Sequence, residues 1–166
     1  MGDEHDLVGL RFSRGCRCFA VLIDGSVGGF GWFSTGPEWI SELQLEIRPG
    51  PREGYIWNCA TLVQHRQKGI FRSLLVGISE IARKEGLERL WIGSVAIPAE
   101  KALAPSGFHP LLRFSAFRFA GLQWTAMREF PSTDPRLILS ARNVLGLRAR
   151  NRAMEISIRP LHPRRH

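Results

Sequence analysis

The chain has 166 residues, 44% of them hydrophobic, with 23 Lys/Arg against 15 Asp/Glu and a formal net charge of +8. That length suits one compact domain with apolar residues enough for a core. The sequence holds no internal repeat, no apolar run of about 18 residues able to span a bilayer and no charged-then-apolar leader, so a cytoplasmic location away from membranes is expected.

In chain order, the segment MGDEHDLVGLRF has room for one short element. Cys16 and Cys18 follow as a C-x-C pair without a second Cys or His pair at ligand spacing, so no metal site is expected. The three cysteines do not make a disulfide framework. CFAVLIDGSVGGFGWFS holds two strand-like runs, 18–23 and 27–34, joined by Asp24-Gly25, a hairpin turn signal. ELQLEI, ahead of the turn RPGPREG, is expected to pair antiparallel beside the next strand, YIWNCATLV at 55–63.

That strand meets a short basic turn, QHRQKG, which opens directly into IFRSLLVGISEIARKE. Ile70, Phe71, Leu74, Leu75, Ile78, Ile81 and Ala82 fall at the i, i+3, i+4, i+7 spacing of one buried helical stripe. Gly86 is placed to end the helix in the left-handed conformation, with Leu87 as its apolar clasp. RLWIGSV, 89–95, reads as a buried strand, and strand, crossover helix and strand together predict parallel pairing of 55–63 with 89–95. The first amides of a helix lack carbonyl partners and carry partial positive charge, so a basic turn delivered there by a strand is suited to hold a phosphate group.

Downstream, IPAEKALAPSGFHPLLRFSAF predicts a short helix, a Gly107-Phe108 turn and another strand. Thr133-Asp134-Pro135 predicts a helix start with proline in the first turn, followed by a stripe of Leu137, Ile138, Ala141, Val144 and Leu145 that ends at Gly146. Residues 1–135 carry 15 Lys/Arg against 14 Asp/Glu, whereas 136–166 carry eight Arg against one Glu, so the excess charge belongs to the tail. The end of the chain, LRARNRAMEISIRPLHPRRH, is expected to trail or pair weakly. A polyanion such as nucleic acid is a conceivable partner for 136–166, although no base-reading motif accompanies it.

The run TLVQHRQKGIFRSLL resembles the acyl-CoA-binding segment of the GNAT superfamily of N-acyltransferases, whose pattern is R/Q-x-x-G-x-G/A at a strand-to-helix turn. Arg66 and Gly69 match, Phe71 replaces the final small residue, and Val63 and Gln67 stand where the family often has Pro and Gly. The order hairpin, βαβ, helix, GF turn, strand extends the resemblance over roughly residues 16–119. It implies an α/β fold with a GNAT-like mixed central sheet splayed at its middle and helices on both faces. The core would occupy 1–130, with 131–166 as a basic C-terminal helix and tail. Only about 15 residues precede the hairpin where the family has a strand and two helices. The opening segment supplies one element, or a partner chain in a homodimer supplies the acceptor wall, or the sequence starts at an internal methionine.

What the resemblance implies chemically is transfer of an acetyl group from acetyl-CoA to a primary amine of a small molecule or protein. The diphosphate would lie on the amides of Arg66, Gln67, Lys68, Gly69, Ile70 and Phe71. The pantetheine would lie along Cys59, Ala60, Thr61 and Leu62. Glu46 is the candidate base and Asn58 the candidate for orienting the amine. Aligning on Gly107-Phe108 puts Leu103 where many members place an acidic Tyr, and the chain's only tyrosine is Tyr55. Cys59 has no His at partner spacing, so an acyl-enzyme is not expected. Trp32, Trp39 and Trp57 are candidates to line the acceptor pocket, with core packing as the plainer role. Two other readings stay open: a CoA-binding protein without turnover, and a nucleic-acid-associated protein acting through its tail.

Overall fold

The computed structural model describes residues 2–41, 45–94, 97–119, 122–131, 134–147 and 154–160. The opening segment forms a helix, α1 (Gly2–Ser13), ahead of the antiparallel hairpin β1 (Arg17–Ile23) and β2 (Ser26–Ser34). Asp24 and Gly25 both take positive φ, 49° and 79°, as a tight two-residue hairpin turn requires. Two short strands, β3 (Glu38–Ile40) and β4 (Leu45–Ile47), precede β5 (Glu53–Thr61), α2 (Ile70–Lys84) and β6 (Arg89–Ile92). Then come α3 (Ile97–Leu103), β7 (Leu112–Phe119), β8 (Leu122–Glu129), α4 (Pro135–Val144) and β9 (Met154–Pro160).

The main sheet has the order β1-β2-β5-β6, antiparallel except for the parallel β5–β6 pair that the βαβ pattern predicts. Its first face is covered by α2, whose Leu74, Leu75 and Ile78 bury against Phe33 and Ile56. Each such fully buried side chain contributes about 1.5–3 kcal/mol. Gly54 makes this contact possible, since a Cβ there would sit 2.5 Å from the Phe33 ring. Helix α2 ends as predicted: Gly86 has φ 82°, and the Leu87 amide donates to the Ala82 carbonyl at 3.0 Å. On the second face Trp32, Tyr55 and Trp57 pack with Ile40, Ile47 and Val144, which come from the β3–β4 hairpin and α4. Helices therefore lie on both faces.

One expected pairing is corrected. The strand containing Glu46 does not flank β5: β4 pairs with β3 in a separate two-stranded sheet, Trp39 opposite Glu46. The nine-residue β2 takes the place beside β5 instead. Of the two outcomes expected for the end of the chain, residues 154–160 take the paired one, with β9 against β8 in antiparallel register from Leu122↔Pro160 to Arg128↔Met154. The 89–95 run is also shorter as a strand and half-buried, since β6 is the outermost strand of its sheet.

Helix α4 is tied to the body. Asp134 caps it by accepting from the Arg136 amide at 2.9 Å, the Arg48 amide donates to the Val144 carbonyl at 2.7 Å, and Arg142 pairs with Glu129 at 2.9 Å. The expected basic extension thus gains no support from α4 or β9, and Arg148, Arg150, Arg152, Arg164 and Arg165 lie outside the described residues. The firmest tie centres on buried Glu53. Its Oε1 accepts from Arg89 (2.5 Å) and Ser140 (2.8 Å), and its Oε2 accepts from the Trp91 indole (2.9 Å) and the Gly50 amide (3.1 Å). Burial by itself raises the pKa of this carboxyl. Hydrogen bonds from Ser140, Trp91, the Gly50 amide and Arg89 outweigh burial and hold it below its ordinary value.

Candidate functional site

Strand β5 changes character at its middle. Its pairing with β6 covers Glu53↔Arg89 to Ile56↔Ile92 and stops there, while pairing with β2 continues to Gly29↔Thr61. Among the described residues, the edge of β5 from Trp57 to Thr61 therefore has no strand beside it on the β6 side. At the same point β5 bulges. Phe30 faces Ala60 and Trp32 faces Trp57, so Asn58 and Cys59 together oppose Gly31, with exposed Asn58 at φ 45°. Gly31 admits the bulge, because a Cβ there would lie 2.7 Å from the Cys59 Sγ.

After Thr61 the Leu62 amide donates to the Gly28 carbonyl at 3.0 Å, and one 3-10 turn, Val63–His65, carries the chain to the start of α2. Gln67 at φ 62° and Gly69 at φ 77° bend the intervening turn through the left-handed region. For glutamine this conformation costs about 1 kcal/mol, as expected of a residue standing where the family often has glycine. Gly69 is the N-cap of α2 and offers no side-chain acceptor to its amides. Among the described residues, the amides of Gln67, Lys68, Gly69, Ile70 and Phe71 find no hydrogen-bond acceptor. Arg66, Gln67, Lys68 and Gly69 are exposed, and a Cβ built on Gly69 meets nothing within 4 Å. Five unsatisfied donors thus gather at the positive end of a fifteen-residue helix, with open space at Gly69. Such a turn fits a diphosphate.

The side chains around this junction narrow the chemistry. Cys59 is half-buried, and burial, with a smaller contribution from nearby Cys18, pushes its thiol up to about 12. It stays protonated at neutral pH and is no nucleophile. The imidazole Nδ1 of His65 is buried without a hydrogen-bond partner beneath the turn. Tyr55 is buried at the heart of the second face, with its hydroxyl against Gly93 just past the end of β6. Leu103 packs into the α2 side of the core.

The predicted residues are therefore gathered unequally. Asn58, Cys59, Ala60, Thr61 and Leu62 share the freed end of β5, and Arg66 through Phe71 form the turn that continues it. Glu46 is not brought to that edge. Leu45 and Ile47 are buried in the core beside Tyr55 and Trp57, so alternation turns Glu46 outward, where it pairs with Arg48. Trp32 and Trp57 are buried, whereas Trp39 lies beside Glu46 with its ring 46% exposed. One residue escaped the sequence reading. Arg11 of α1 holds its guanidinium 4.9 Å from the Trp32 ring centroid and 6.0 Å from that of Trp57.

Comparison with known proteins bears on the whole of this arrangement. Residues 3–104 match the family model described as Acetyltransferase (GNAT) family. Among solved structures, the aminoglycoside acetyltransferase AAC(6')-Iy in complex with a bisubstrate analogue is 17% identical over 71% of this chain and 80% of its own, with a TM-score of 0.54. An aminoglycoside acetyltransferase from an uncultured soil metagenomic sample, in complex with trehalose, is 14% identical over 70% of this chain and 72% of its own, with a TM-score of 0.51. A ribosomal-protein-alanine N-acetyltransferase from Brucella melitensis biovar Abortus 2308 is 20% identical over 64% of this chain and 72% of its own, at 0.47. The first two likenesses show a shared fold. No curated protein matches the chain.

Proposed function

The chain belongs to the GNAT family of acetyltransferases, which draw the acetyl group from acetyl-CoA, and on that footing we propose that it transfers this group to a primary amine of a small molecule or protein. The observation that carries the reading is the meeting, at one end of β5, of amides from Gln67 to Phe71 that have no acceptor among the described residues with an edge, from Trp57 to Thr61, that none of the described strands occupies. In this reading the amides and the exposed Arg66 and Lys68 hold the diphosphate. The pantetheine lies along Cys59 to Leu62 as an added strand would, exchanging main-chain hydrogen bonds. A free N–H on the same edge faces the thioester oxygen as negative charge develops on it. Asn58, exposed on the bulge, orients the amine.

The neutral amine nitrogen attacks the carbonyl carbon, the C–S bond breaks, the sulfur leaves as the thiolate and the extra proton on nitrogen passes to water. Transfer is direct, because the Cys59 thiol is held protonated. With Leu103 packed in the core, the thiolate takes its proton from solvent, which a thiol pKa of about 8.5 makes affordable. Glu46 enters only as a base acting through water, since its side chain faces away from β5.

A second reading, CoA binding without turnover, draws on Leu103 and on the outward Glu46. Calorimetry with CoA, followed by thiol release from acetyl-CoA over a broad amine panel, separates the two. Binding with release supports acetyl transfer, and binding without release from any amine supports the second reading. Absence of CoA binding would sink both.

A further inference from the structure

We propose that Arg11 is the anion receptor of the acceptor site and that the amine acetylated here carries a carboxylate, as an amino acid does, an assignment that rests on the acetyl-transfer reading above. Cys18, Trp32 and Trp57 form one row across the main sheet, in the register Cys18↔Trp32 and Trp32↔Trp57. The next place in that row belongs to β6, but β6 pairs only as far as Ile56↔Ile92, one residue short. The row therefore runs out into the opening of the splay. Arg11 lies nearer the Trp32 ring than the Trp57 ring and also acts on Cys18 of β1, so its guanidinium stands over β2, one to two strand spacings, roughly 5–10 Å, from that opening.

Among the described residues no carboxylate meets Arg11, whereas Arg14, three residues on, pairs with Glu38 at 3.1 Å. On its own helix the i−4 and i−3 positions are Leu7 and Val8, which offer no acceptor. Stacking on indole holds the plane of a guanidinium and leaves its N–H donors unsatisfied along the edge. A half-buried, flat, oriented fork with open donors matches a carboxylate, which it can grip through two parallel hydrogen bonds. The diphosphate is not its partner. Ile70, at the head of α2, packs at Gly29 on the first face of the sheet, and Trp32 stands three residues farther along β2, roughly 10 Å, on the second face. A polycationic amine would meet a like charge here.

The test offers the protein each of the standard amino acids beside its carboxamide, with acetyl-CoA as donor, and follows thiol release, with calorimetry of CoA run in parallel. Amino acids should exceed their carboxamides in kcat/KM by roughly tenfold or more. Arg11→Gln should erase that preference by raising KM for the acids, with KM for the carboxamides and the affinity for CoA unchanged. Arg11→Lys should restore part of the preference, since it returns charge without the planar fork. If CoA binds and carboxamides do as well as acids, or if Arg11→Gln weakens both alike with a lowered melting temperature, Arg11 is a structural stack and the assignment falls alone. If wild-type protein binds no CoA, the acetyl-transfer reading falls and takes the assignment with it.

Discussion

The two halves of β5 are built from one continuous strand and behave as opposites. From Glu53 to Ile56 it is clasped by β2 and β6, and the Glu53 carboxylate gathers Arg89, Trp91, Ser140 and the Gly50 amide. From Trp57 to Thr61, among the described residues, it keeps β2 alone, bulges at Asn58 and leads into amides with no acceptor. Satisfied polar groups collect where nothing is bound, and unsatisfied ones collect a few residues away. The contrast shows how a strand presents an open edge without fraying: its other end is over-determined.

Substitutions can test that division, beginning with the open half. Gly69→Glu places bulk and a like charge before the unpaired amides, and the affinity for CoA should fall by about a thousandfold, roughly 4 kcal/mol. The far-ultraviolet dichroism should be kept, because the position is exposed. Unchanged affinity in calorimetry would remove the turn from cofactor binding.

Glu53→Ala attacks the clasped half and should leave Arg89 and the Trp91 indole without their acceptor. A loss of about 3 kcal/mol in urea unfolding is expected, with little change in the KM for acetyl-CoA. The same carboxylate predicts an acid limb. Its pKa is depressed in the folded state, so its contribution is complete above the ordinary value of 4.5 and is lost as pH falls through the folded one. Wild type should therefore weaken below that pH, and Glu53→Gln should flatten the profile. An identical acid limb in the variant would mean that other carboxylates set it.

Smaller changes sharpen the boundary between the halves. Gln67→Gly relieves a left-handed side chain but loosens the unfolded chain, so a net gain of about 0.5 kcal/mol should show as a slightly higher denaturation midpoint. A loss would mean that the glutamine side chain makes a contact worth more than its strain. Glu46→Gln should change the acylation rate at neutral pH by less than about threefold, because a base facing away from β5 forgoes the hundredfold or more of a positioned one. A larger drop would bring Glu46 back to the amine.

Local chemistry made part of this legible in the sequence. The stripe from Ile70 to Ala82, the Gly86 cap, the Asp24-Gly25 hairpin and the Asp134-Pro135 helix start are written in residues a few positions apart, and each forms as expected except that Ile81, at the edge of the stripe, is exposed. The turn was legible too, because strand, basic residues and helix adjoin in the chain. Glu46 was misplaced for want of the same locality: which strand flanks β5 depends on competition between β2 and β4 for one edge, and ELQLEI alternates equally well in either place. Arg11 gave no signal, since a cation in a short opening helix is unremarkable until the fold lays it across two indoles from β2 and β5.

The Arg66–Phe71 turn carries two kinds of positive charge with different responses to ionic strength. The guanidinium of Arg66 and the ammonium of Lys68 are exposed, and mobile ions screen them over about 8 Å in physiological salt. The amides act by direct contact, and dissolved ions leave them largely unaffected once a ligand sits on them. If the turn holds a polyanionic ligand as proposed, added salt should therefore slow its capture more than it hastens its escape, one set of charges serving to draw it in and the other to retain it.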